Sequence, residues 1–278
     1  AFFLSVGIFN TGAHPAQAAQ PSEWQLFPAI DVFKPLIADP KEPRFFVSVH
    51  SYDNEFRGEF TGASVGFGEN FGIIKKYLSK QHTWQVSLKG GLFSQFDLDT
   101  SSKDLLNSDY NIGLTWTYHY KILSMRARLY HQSSHLGDEY LIRNPNLADT
   151  RTNLSYEAVD WLGALTWKGL RIYAGPHYLI NRKPSSLDRW GCHGGIKFIG
   201  LGKIIPRGEL ALGLDVKSFQ ELDWDPAYSV KAGVLFKNLA NRNRYVQIML
   251  EYYEGFIPYG QFYDYEMESY GAGVYFGF

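Results

Sequence analysis

Apolar residues recur at every second position through most of this chain. Leu210, Leu212, Leu214 and Val216 alternate with Glu209, Ala211, Asp215 and Lys217, and Val246, Ile248, Leu250 and Tyr252 alternate with Tyr245, Gln247, Glu251 and Tyr253. Strand side chains point to opposite faces with a period of two, so each run reads as a strand with one apolar and one polar face. The alternation predicts about twelve such strands. They lie near residues 44–53, 58–77, 82–97, 107–120, 122–135, 153–168, 170–181, 188–200, 206–220, 227–238, 243–256 and 264–278. The second carries Gly62, Gly66, Gly68 and Gly72 and is expected to bend or to split in two.

A soluble sandwich and a membrane barrel share this alternation, and composition separates them. Aromatics make up 17% of the chain, 19 Tyr and 20 Phe among them, which suits the girdles of a barrel at both membrane interfaces. No apolar run of the roughly 20 residues that a spanning helix needs lies in the body of the chain. The alternating Tyr270–Phe278 segment, closing on an aromatic residue, resembles the last strand of outer-membrane β-barrels. Connections after even-numbered strands are short, as at Tyr120-Lys121 and Lys168-Gly169, whereas 98–106, 136–152, 182–187 and 257–263 are longer and polar. The expected fold is therefore all-β: a closed antiparallel transmembrane β-barrel with both termini periplasmic. Its inward set (Lys89, Arg126, Arg128, Arg171, Lys197, Glu209, Asp215, Lys217, Glu251) mixes signs that can pair, so the lumen is expected to be narrow, polar and filled.

Residues 1–18 read as the remnant of a signal peptide, an apolar core ending in Ala16-Gln17-Ala18. Residues 19–43, rich in proline, read as a periplasmic lead-in that packs into or beneath the barrel, and residues 44–278 as the barrel. Cys192 is the only cysteine, which excludes an intrachain disulfide. A formal charge of −1 gives no basic stripe for nucleic acid.

Candidate chemistry concentrates in Met125–Glu139. There Met125, Ala127 and Leu129 share a face with His131, Ser133 and His135, while Arg126, Arg128, Tyr130, Gln132 and Ser134 take the other. If the apolar set meets lipid, His131 and Ser133 emerge outward at the external leaflet. Two positions apart on a strand is about 7 Å between Cα atoms, within reach for an imidazole to take a hydroxyl proton. On the next strand Glu157, Ser155 and Asn153 continue the lipid-facing parity, and counting from the Lys168-Gly169 turn sets Glu157 near the height of Ser133. A carboxylate there can hold the histidine tautomer.

The His-x-Ser pair resembles those of outer-membrane phospholipase A and of lipid A 3-O-deacylase. That resemblance implies Ser133 as nucleophile, His131 as base, and Glu157 or Asn153 as the residue that orients it. The box Tyr130-His-Gln-Ser-Ser-His-Leu-Gly-Asp-Glu-Tyr140, with Gln95–Leu98 and Ser108–Tyr110, is more similar to a family of bacterial outer-membrane proteins of unknown function, which brings no activity with it. Two functional classes stay open: a structural, lipid-binding or narrow-channel barrel, or an outer-leaflet lipid esterase. His135, Asp138 and Glu139 are the candidate binding residues, with Ca²⁺ the one ion suggested and no cofactor otherwise expected. The partners expected are outer-membrane lipid and lipopolysaccharide, with a homodimer or a membrane complex as candidate assemblies.

Overall fold

The computed structural model describes residues 23–145, 154–205, 208–237 and 244–277. The strands are β1 (Trp24–Leu26), β2 (Phe45–Asn54), β3 (Gly58–Ser79), β4 (His82–Asp97), β5 (Leu105–Tyr120), β6 (Leu123–Leu136), β7 (Ser155–Trp167), β8 (Leu170–Lys183), β9 (Trp190–Ile205), β10 (Gly208–Phe219), β11 (Ala227–Lys237), β12 (Tyr245–Phe256) and β13 (Glu266–Gly277). Each of β2–β13 pairs antiparallel with its sequence neighbour, and β13 returns to β2 from Met267 opposite Asn54 to Phe276 opposite Phe45. The result is a closed twelve-stranded barrel, as the alternation predicts. Closure leaves no open edge, so the backbone groups of the spanning strands are paired within the ring. The short β1 lies outside the count, pairing with Ile74–Lys76 of β3.

The outward face is apolar: Val49, Leu114, Trp116, Leu129, Ile172, Ile248 and Leu250 all stand exposed. Buried polar groups fill the inside. Such inversion of a soluble protein follows from lipid as the outer solvent. The tight β7–β8 hairpin places Lys168 and Gly169 both at positive φ, as a two-residue turn matched to strand twist requires. The glycine-rich β3 runs unbroken, with a register shift between Gly72 and Ile74. The expected signal segment, residues 1–18, lies outside the described residues.

Residues 28–44 do not stay beneath the barrel but fold into it. Phe33, Leu36, Ile37 and Ala38 are buried, with Phe33 and Leu36 packed against Leu162, Ala164 and Tyr173 on the inner wall. Charges then lock the plug. Glu42 Oε1 accepts from Lys89 at 2.6 Å and Oε2 from Arg126 at 3.3 Å, Asp39 accepts from Lys217 at 2.6 Å, and Lys41 pairs with Asp109. Burial pushes Lys41 below the usual lysine range, with Asp109 pulling the other way. At the long-loop end, the 257–265 segment turns inward as a cap: Gly260 N–H donates to Asp109 at 3.1 Å, and Phe262 stacks on Phe56 with centroids 4.1 Å apart.

Candidate functional site

Parity and register together bring the predicted residues into one outward group. Along β6, Leu129, His131, Ser133 and His135 share a face, and the facing residues of β5 are Leu114, Ile112, Tyr110 and Ser108. Because Leu114, Ile112 and Tyr110 are about half exposed on the outer wall, His131 and Ser133 face the lipid side and not the lumen. Tyr110, opposite Ser133, is an amphipathic residue of the kind that marks a membrane–water interface. His135 stands edge-on to it, with centroids 5.6 Å apart.

The β6–β7 register puts Glu157 opposite His131 and Ser155 opposite Ser133. The expected height of Glu157 is thus corrected by two residues: it aligns with the histidine. The consequence is a hydrogen bond from His131 Nδ1 to Glu157 Oε1 of 2.8 Å, with 43% of each side chain exposed. A carboxylate at Nδ1 selects the tautomer that carries its proton there, which leaves Nε2 as the free base. Ser133 lies on the same face two residues further along, and among the described residues it makes no hydrogen bond to the imidazole.

Asn153 lies outside the described residues. Another amide stands beside the carboxylate: Asn181, on β8, lies opposite Glu157. Counting back from the Lys168-Gly169 turn would set Ile180 opposite Glu157, but a bulge between Glu157 and Ala158 inserts one residue and brings Asn181 there. No alternation signals a bulge. Lys183 follows opposite Ser155, two strands across from Ser133. The Gly137 N–H, the nearest glycine amide past Ser134, is spent on Leu106 O at 3.0 Å. Asp138 and Glu139 sit exposed in the first turn of the short helix α1 (Asp138–Arg143), so neither has been drawn into the group.

A second cluster, inside the lumen, has no counterpart in the sequence reading. Asp39, His193 and Asp215 offer ligand atoms within 4.8 Å of one another. Its charges are already committed: Lys217 holds Asp39, while His193 Nε2 and the Tyr173 hydroxyl meet Asp215 at 2.7 and 2.5 Å. The neighbouring Cys192 points outward, as expected for adjacent positions on a strand, so no Cys–His dyad forms.

The chain belongs to the family described as "Protein of unknown function (DUF1207)", which it matches over residues 9–278. No curated protein matches it. Among solved structures it is similar to outer membrane phospholipase A from Escherichia coli, with a TM-score of 0.58 and 11% identity, over 86% of this chain and 93% of that one. It is also similar to the calcium-bound dimer of the Salmonella typhi outer membrane phospholipase, with a TM-score of 0.56 and 11% identity, over 86% and 93%. These likenesses establish an outer-membrane β-barrel fold.

Proposed function

We propose that this member of the DUF1207 family is an outer-membrane serine acyl hydrolase that cleaves ester bonds of outer-leaflet lipid. One observation carries the reading: an outward-facing imidazole, oriented by a carboxylate at 2.8 Å, shares its face with a serine two residues away. Polar residues facing lipid are costly, and a hydrogen-bonded His–Glu pair there calls for a use. The membrane delivers the substrate laterally, so the group needs no deep pocket.

In this reading His131 Nε2 accepts the Ser133 proton as Oγ attacks the acyl carbonyl. Glu157 steadies the imidazolium, and Asn181 holds Glu157. The proton then passes to the leaving alkoxide, and water releases the fatty acid from the acyl-serine by the same route. Lys183 is placed to attract a headgroup phosphate. The protein sits in the outer membrane with both termini in the periplasm, and lipid or lipopolysaccharide is its partner. By analogy with the phospholipase neighbours, a second copy and Ca²⁺ at Asp138 and Glu139 are further partners to assay. The channel reading is disfavoured by the plug and the cap.

Purified protein in detergent should release fatty acid from phospholipid or lipid A. Ser133→Ala should lower that rate at least about a hundredfold while keeping the heat-modifiable gel shift of a folded barrel. Equal trace hydrolysis in both would make the box the polar rim of a structural, lipid-binding barrel.

A further inference from the structure

Across the middle of the lumen, buried cations meet carboxylates: Lys89 and Arg126 meet Glu42, Arg128 meets Asp160, Lys217 meets Asp39, and Lys231 meets Glu251. At the short-turn end this rule fails. A cleft of about 610 Å³ there is lined by Lys34, Lys75, Lys121, Arg171, Lys197 and Lys237, with Asp31 its single carboxylate. Lys237 pairs with Glu209. The buried members have only backbone oxygens of the plug: Lys75 Nζ donates to Ile30 O, Arg171 Nη1 to Lys34 O at 2.7 Å, and Lys197 Nζ to Pro35 O at 3.2 Å. Asp31 accepts from the amides of Asn70 and Gln85 and keeps its negative charge, one carboxylate among these cations.

Arg171 is the sharpest case. It is 3% exposed, its guanidinium stacks 3.9 Å from the Phe33 ring, and Nε and Nη2 have no hydrogen-bond partner among the described residues. Those two nitrogens form the side-on edge of the fork, the geometry that grips two oxygens of one oxyanion. Lys75 and Lys197 are also more than nine-tenths buried. Carbonyl dipoles offset such charge only partly, and the carboxylates in reach, Asp31 and a Glu42 already paired with Lys89 and Arg126, are fewer than the cations, an imbalance that is costly when buried.

We propose that this vestibule is a binding site for a phosphate-bearing anion, gripped by Arg171 and neutralised by Lys34, Lys75 and Lys197. Phosphate fits better than a monovalent carboxylate because it brings up to two charges to several unbalanced cations, and it presents paired oxygens to the fork. The cleft exceeds a bare phosphate ion, so the group arrives either free or as the headgroup of a lipid. This site is independent of the outward Ser133 group.

The test uses the full chain folded in a nonionic, phosphate-free detergent. Inorganic phosphate and a short-chain phosphatidic acid are titrated separately by calorimetry. Saturable binding of at least one probe is expected, at least tenfold weaker in Arg171→Lys, which keeps the charge but loses the fork, and in Lys34→Gln. Lys34 lies on the plug and outside every strand, so its variant keeps the test decisive if the Arg171 variant does not fold. Tighter binding of the phosphatidic acid identifies a lipid headgroup, and tighter binding of inorganic phosphate a free anion. Saturable binding of neither probe, or affinities unchanged in Lys34→Gln and in any folded Arg171→Lys, would overturn the proposal.

Discussion

Replacing Glu42 with glutamine removes one carboxylate that balances two buried cations, and it measures what holds the plug. Glu42 is 2% exposed and Lys89 is 6% exposed, and Lys89 has no other carboxylate partner among the described residues. Arg126 keeps Asp160 at 3.4 Å, so Lys89 is the charge left stranded. Breaking a buried pair costs about 3–5 kcal/mol. Because glutamine keeps an acceptor oxygen, the lower end applies, about 3 kcal/mol or roughly a hundredfold in the folding equilibrium. The acid limb gives the sign of the pH dependence. Burial alone would raise the Glu42 carboxyl, but Lys89 and Arg126 outweigh it and hold the group at about 2, against an ordinary 4.5. A folded value below the unfolded one stabilises the protein above pH 4.5, and that stability is lost as pH falls from 4.5 towards 2. Urea unfolding followed by the gel shift should therefore show Glu42→Gln well below wild type at pH 7, with the gap closing across that acid window. A variant within about 0.5 kcal/mol of wild type at pH 7, the scatter of an ordinary surface change, would refute ionic docking of the plug.

Two further changes probe the outward group and the cap. Glu157→Gln should lower kcat of lipid hydrolysis by roughly ten- to a hundredfold with KM little changed, because the imidazole loses its orienting charge and not its substrate contacts. Asn181→Ala should act in the same sense by less than about tenfold, and wild-type turnover in both would remove Glu157 from the mechanism. Gly260→Ala places a Cβ where the Ser134 hydroxyl and the Asp109 carboxylate now lie. It should cost about 1–3 kcal/mol and open the 257–265 segment to protease without loss of strand content by circular dichroism. Unchanged protease resistance would mean that the cap is not seated on Asp109.

Much of this protein is decided locally, and that part is readable from the chain alone. Whether a strand residue faces lipid or lumen depends only on parity, so the twelve strands, the apolar exterior and the shared face of His131, Ser133 and Glu157 follow from period-two alternation. Even the charged filling of the lumen is visible as the inward set. Which residue stands opposite which is another matter. Two residues of register moved Glu157 from Ser133 to His131, and one bulged residue on β8 brought in Asn181 where parity offered none. The plug lies further still from any local rule. Asp39 meets Lys217 across 178 residues and Glu42 meets Lys89 across 47. A proline-rich segment without periodicity carries no mark of the partners it will find, because those contacts exist only once the barrel has closed around it. For the same reason the unbalanced cations at the short-turn end emerge only in three dimensions: Lys34, Lys75, Arg171 and Lys197 come from the plug and three separate strands, and closure alone sets them around one cleft.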